Sequence, residues 1–151
     1  MVVRVKLRVR PKRGGPAKEL VVLANGGAES PRPCLVVDVS LAEELGLWPP
    51  VGAELYSVEE ASGESSALLL PSSVELELLS DEGSVLSRVV ADLAVLGGLR
   101  EPLITDVTID ELGIVVLSFG RGLWRHVSDP PGVVRRSPMR SVPQEEGHQG
   151  R

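Results

Sequence analysis

The chain carries almost none of the side chains from which metal centres and thiol chemistry are built, with one cysteine, Cys34, and two histidines, His126 and His148, in 151 residues. A lone cysteine excludes an intrachain disulfide, and no set of thiolates exists to hold zinc or an iron–sulfur cluster. Cys34 follows Pro33 and opens an apolar run, the setting of a small buried hydrophobe rather than of a nucleophile. Because His148 falls in a polar tail, neither a Cys/His nor a Ser/His/Asp arrangement is favoured. Phosphate loops are missing too. Gly97-Gly98 has no lysine beside it, and no carboxylate–histidine cluster has metal-ligand spacing, so no cofactor and no metal are expected.

Aromatic residues are equally scarce. Trp48, Tyr56, Phe119 and Trp124 are the whole complement, so the core must be aliphatic, built from Val, Leu and Ala. No run reaches the roughly 20 apolar residues of a membrane span. Arg4, Lys6, Arg8 and Arg10 interrupt the N-terminus where a secretory signal would be continuous. The expectation is a cytoplasmic protein without membrane contact. A chain of this length makes one ordinary domain, able to bury about two thirds of its unfolded surface.

Charge is uneven: every residue that ionises before Glu19 is basic, and the middle of the chain is acidic. Such a stripe is one footprint of nucleic-acid binding. Here, however, Arg4, Lys6, Arg8 and Arg10 alternate with Val3, Val5, Leu7 and Val9, which describes the solvated face of a half-buried strand. A nucleic-acid or acidic partner is therefore the secondary reading.

The same period-two alternation recurs along the chain. Strands are expected over Val2 to Arg10 and Glu19 to Ala24, joined as a hairpin by the Pro11 to Pro16 turn. Further strands are expected at Cys34 to Val39, Ala53 to Glu60, Ala67 to Leu70, Val74 to Leu79, Val85 to Leu96, Leu99 to Ile104 and Ile114 to Phe119. Glu75 and Glu77 should mark a wet face. Ser62-Gly63-Glu64-Ser65 reads as a hairpin tip. Two short helices fit between the strands. One has Ser40 as N-cap and Glu43 three residues on and is stopped by Gly46; the other runs from about Asp106 to Leu112, capped by Thr105 and stopped by Gly113. The fold class is all-β, a mostly antiparallel closed barrel with two short helices. Residues 1–126 form the domain, and 127–151, without periodic apolar pattern, read as a disordered tail.

One turn carries a chemical argument. Leu23-Ala24-Asn25-Gly26-Gly27-Ala28 ends a strand in a tight glycine turn, followed by a loop, the apolar run from Cys34 and a short helix. In conformational terms Asn25-Gly26 need be no more than a tight turn, since both residues tolerate positive φ. The order of parts nevertheless resembles the retropepsin-like aspartic proteases, whose turn reads Asp-Thr/Ser-Gly-Ala. It also resembles archaeal members of that clan that carry Asn in the turn and end in Gly-Leu-Trp-Arg, as at Gly122-Leu123-Trp124-Arg125.

On that resemblance Asn25 takes the place of the catalytic aspartate, Gly26 that of the hydroxyl residue, and Gly27 that of the glycine. A strand ending at Ile104, a helix near Ile109 and a final strand from Ile114 would pack behind the turn. The family pairs two aspartates that share a proton. One turn per chain then implies a homodimer, with a peptide or protein ligand in the shared groove under flaps near Ser62 and Gly63. A carboxamide cannot take a proton from water at neutral pH, so the encoded site implies a peptide-binding domain or a weak or inactive peptidase. Asn followed by Gly is also the pair most prone to deamidation, a route by which the turn could gain a carboxylate.

Overall fold

The computed structural model of the chain describes residues 2–50, 54–60 and 63–140. Along it run β1 (Arg4–Pro11), β2 (Lys18–Ala24), β3 (Cys34–Val37), helix α1 (Val39–Glu44), β4 (Glu54–Glu60), β5 (Gly63–Leu79), β6 (Val85–Val95), β7 (Leu103–Ile104), helix α2 (Asp106–Glu111), β8 (Ile114–Ser118), β9 (Leu123–His126) and β10 (Arg135–Arg136). The alternation of β1 is realised: Val5, Leu7 and Val9 are fully buried, and the basic residues between them lie on the opposite face.

Strand β1 pairs antiparallel with β2 on one edge and with β5 on the other, and that second pairing closes a ring. Six strands, in the order β1, β2, β7, β3, β6 and β5, form the closed barrel. Closure leaves those strands without a free edge. The barrel is mixed, because β2–β7 and β3–β6 are parallel. Hairpin turns impose antiparallel pairing only on neighbours in sequence, and β7 reaches its place from far along the chain. Strand β4 is attached through β5. The tip expected at Ser62 lies outside the described residues.

The core is aliphatic. Leu7, Leu35, Leu76, Leu78, Leu93 and Ile104 are among its fully buried side chains, and Trp124 is its one buried aromatic among the described residues. At roughly 1.5–3 kcal/mol for each fully buried Val or Leu, this cluster is the main favourable contribution to folding.

Several local expectations are corrected. The two strands expected at Ala67 to Leu70 and Val74 to Leu79 are one, β5, with a register shift against β6 between Leu70 and Val74. Pro71 has no N–H for the ladder, and Ser72 bulges out at φ 48° with its amide held by Asp92 Oδ1 at 2.8 Å. Arg32 in turn neutralises Asp92, at 2.9 Å. The cap of α1 is Asp38, not Ser40; its side chain accepts from Leu41 N at 2.9 Å. Glu77 does not face water: it is 3 % exposed, roofed by the arginines of adjacent strands. The strand expected from Leu99 shortens to β7, since Gly98 turns at φ 78° and Pro102 offers no donor.

The ordered chain also runs past His126. Val127 N donates to Gly113 O at 2.8 Å, β10 pairs with β9, and Ser137 Oγ donates to Gly122 O at 2.7 Å while accepting from Arg4 N at 2.9 Å. Asp129 takes two bonds of 2.8 Å from Arg135 and a third of 2.8 Å from His126 N. Charge-assisted bonds rather than apolar periodicity hold residues 127–140, which is why the pattern suggested disorder. The rest of the expected tail, 141–151, lies outside the described residues. Among the described residues no helix is long and apolar enough to cross a membrane.

Two consequences are measurable. Gly113 sits at φ +77°, where an added Cβ would come within 2.8 Å of Val127 Cγ1 and 2.9 Å of His126 Nε2. Left-handed strain and overpacking together should make Gly113→Ala cost roughly 2–4 kcal/mol. Gly97→Ala meets nothing within 4 Å and should stay within about 0.5 kcal/mol; equal losses in urea denaturation would contradict this. The second concerns Asp129, whose hydrogen bonds from Arg135 outweigh burial and hold its carboxyl at about 2, below the ordinary 3.8. A depressed folded value stabilises above the unfolded one and is lost as pH falls through about 2. The wild-type advantage over Asp129→Asn should therefore be about 2 kcal/mol near neutrality and shrink on acidification between those two values. A difference independent of pH would remove Arg135 as its source.

Candidate functional site

The turn begins where β2 leaves the barrel, and its bracing comes from β7 and α2. Leu23 N donates to Pro102 O at 3.0 Å and Asn25 N to Ile104 O at 3.1 Å, so β7 fixes the strand up to the turn itself. Ala28 N donates to Asn25 O at 3.0 Å, closing the turn, and Asp106 N donates to Ala28 O at 2.9 Å, tying it to the start of α2. The Asn25 side chain folds back over the turn, with Oδ1 accepting from Gly27 N at 3.1 Å.

A chain of hydroxyls anchors the loop behind. Ser30 Oγ lies 2.6 Å from Thr105 Oγ1, which lies 2.8 Å from Thr108 Oγ1; Thr108 Oγ1 accepts from Cys34 N at 2.8 Å. Thr105 and Thr108 are buried, so these hydroxyls satisfy one another where water does not reach. This explains why Thr105, at the N-cap position with extended dihedrals, makes no side-chain cap bond: its hydroxyl is committed to the network. Asp106 Oδ1 adds a bond from Ser30 N at 3.2 Å.

The glycines of the turn do not serve the conformational purpose that the dipeptide suggests. Neither Gly26 nor Gly27 occupies the left-handed region, and a Cβ on Gly26 would meet nothing within 4 Å. Both are exposed. The three residues singled out from the sequence, Asn25, Gly26 and Gly27, thus share one exposed, rigidly backed turn. What it offers chemically is a carboxamide whose oxygen already accepts a bond, which can orient a ligand but carries no acid or base.

Other candidates are otherwise occupied. Cys34 is buried, and burial, aided by the Asp92 charge, pushes its thiol up to about 12; such a thiol stays protonated and inert. His126 is buried with Nε2 3.0 Å from Leu112 O, so that nitrogen carries the proton, and Nδ1 accepts from Ser128 Oγ at 2.7 Å. Asp129 reaches only the main-chain nitrogen of His126, so the three do not form a catalytic triad. The Ser128 contact could not be read from sequence, being a two-residue turn within a segment that shows no apolar pattern. Among the described residues no group of three or more His, Cys, Asp or Glu is placed to hold a metal ion.

Three of the four basic residues of β1, and Lys18 of β2, meet acids. Arg4 bonds Glu101 at 2.8 and 3.0 Å, Arg8 and Arg10 approach Glu77 at 3.2 and 3.3 Å, and Lys18 meets Glu44 at 2.9 Å. Two shallow clefts, about 350 and 360 Å³, flank β2 and the Gly97 to Leu103 segment, and neither includes the turn.

Alkylation checks the Cys34 assignment: the native thiol should react orders of magnitude more slowly than a free one near pH 8 and become reactive in step with urea unfolding. Rapid labelling of the folded chain would contradict it. No family model matches this sequence, and no curated protein matches it significantly.

Proposed function

We propose that the chain is a retropepsin-like domain that binds an extended peptide or protein segment between two copies of itself, with their Asn25 turns facing. One observation carries the reading: the Asn25–Ala28 turn closes β2 and is braced from behind by β7 and the start of α2. That is the arrangement the resemblance implies for residues near Ile104 and Ile109. A closed six-stranded barrel with two short helices agrees with it. Gly26 and Gly27 are exposed, and the open space beside Gly26 leaves room for a second copy and a ligand backbone.

Capture rather than cleavage is what the encoded residues support. The Asn25 carboxamide is neither an effective acid nor an effective base near neutral pH. A bound segment would be held by main-chain hydrogen bonds, with the β4–β5 arm of each copy over the groove, as in strand addition. The ion pairs of Arg8 and Arg10 with Glu77 count against the nucleic-acid alternative.

Light scattering at high micromolar concentration should give the mass of a dimer. Asn25→Asp should then create or raise acid peptidase activity, since two facing carboxylates can share a proton. Adding Gly26→Thr should raise it further, by about tenfold or more, through firmer positioning of the turns; the open space at Gly26 accommodates the new Cβ. A monomer would sink the shared groove. Dimeric variants that cleave nothing from about pH 3 to about pH 8, the span of paired-carboxylate titration, would leave a groove that only binds.

A further inference from the structure

We infer that Asn25 is a self-converting site, where the chain turns its own carboxamide into an aspartate after synthesis. Asn25 is the sole asparagine in 151 residues; the two glutamines, Gln144 and Gln149, stand close to the C-terminal end, and the chain has one cysteine and two methionines. Depletion of heat-labile side chains is a habit of proteins that work hot. Against that background the single asparagine precedes a glycine, in the dipeptide context most prone to deamidation, on the exposed turn of the candidate site.

Two local features bear on the reaction. A Cβ on Gly26 would meet nothing within 4 Å and its φ lies outside the left-handed region, so the backbone does not require glycine there. What glycine supplies is an unhindered nitrogen. Gly27 N–H donates to Asn25 Oδ1 at 3.1 Å, placing a donor on the oxygen that gains charge when Cγ is attacked.

The step balances with water as co-reactant. The Gly26 nitrogen gives up its proton and bonds to Asn25 Cγ; Nδ2 takes a proton and leaves as ammonia, closing a succinimide. Water then adds to a ring carbonyl. Breaking the new bond to Gly26 N leaves aspartate in an unaltered main chain, whereas opening at the other carbonyl leaves isoaspartate, with an extra main-chain carbon. Asn25 O accepts from Ala28 N, and Ala28 O from Asp106 N. Aspartate keeps both bonds and isoaspartate shifts them, and on this ground aspartate is the expected main product. Two such carboxylates across the groove would share a proton and make a binding turn an acid/base pair. That consequence rests on the shared-groove reading; the conversion itself does not.

The intact chain, purified cold and then held at elevated temperature near neutral pH, tests this by peptide mapping over time. Digestion uses an endoproteinase that cuts before aspartate but not before isoaspartate. The expected result is an amide-to-acid mass gain at residue 25, mainly as aspartate, slowed severalfold in Gly26→Ala while circular dichroism shows the fold unchanged. An amide that persists for as long as a synthetic peptide of residues 19–32 needs to convert fully overturns the inference. So does a product that is mainly isoaspartate. Peptidase activity is read separately beside Asn25→Asp. If the converted chain and the variant both fail to cleave, the conversion stands and the catalytic consequence falls; an active variant beside an unconverted wild type overturns the conversion alone.

Discussion

Two residues, Leu103 and Ile104, hold the barrel shut and the candidate turn in place. As β7 they sit between β2 and β3, pairing Leu23 with Leu103 on one side and Leu35 with Ile104 on the other. Without them β2 and β3 would face each other as unpaired edges, a costly arrangement for strands buried on one face. Ile104 also fills the core, being fully buried, while its carbonyl takes the amide of Asn25. The helix that follows immediately presents Asp106 N to the far end of the same turn. Barrel closure and turn geometry are therefore one constraint, and any disturbance of β7 reaches both.

The outer face shows a second economy, in charge. Glu77 lies between Arg8 of β1 and Arg88 of β6 in register, with Arg10 reaching across. Burial pushes the Glu77 carboxyl up, and hydrogen bonds from Arg88 and Arg8, with the charge of Arg10, pull it further down than burial raises it. The carboxylate stays ionised under the guanidinium groups. The arginine stems in turn shield it from water, which is how a residue on the wet side of the alternation becomes buried. Arg8 and Arg10 of the basic N-terminus and Glu77 of the acidic middle are thus parts of one ladder. A stripe that suggests a polyanion partner is, in its paired members, a device for joining strands.

What could be read from sequence was local, and what could not was distant. The β1–β2 hairpin, the buried valines of β1, and the stops at Gly46 and Gly113 follow from alternation and from glycine's access to positive φ; both glycines adopt it, at 73° and 77°. The pairing of β7 between β2 and β3 does not follow from its own residues, because nothing in a two-residue strand announces its partners; only the resemblance implies a strand ending at Ile104 behind the turn. The continuity of β5 was hidden by Pro71 and the two serines, whose bulge depends on Asp92 from another strand. Asp38 outcompetes Ser40 as cap because it is already there as β3 ends, so the helix starts two residues earlier. Order in residues 127–140 rests on Asp129 and Arg135, an ion pair no hydrophobic pattern reports. For the turn, sequence supplied the residues and their order but assigned the glycines the wrong physical reason.

That last difference bears most on function. Gly46 and Gly113 are needed where they stand, because a side chain would be strained at their φ. Gly26 has no such need: its φ is ordinary and the space beside it is open. At a compatible position, replacing glycine by alanine typically adds about 0.4–1 kcal/mol by restricting the unfolded chain. A glycine kept there forgoes that stability, and gains only absence of bulk. Behind the turn the opposite holds, with Thr105, Thr108 and Ser30 locked in a hydroxyl chain and Asn25 tied on both main-chain sides. Rigid backing with a bare front is what a site needs if something must come close to its backbone. On the proposed reading, the groups that would approach are a ligand main chain, a second turn, or the nitrogen of the next residue, and open space beside Gly26 suits each of them.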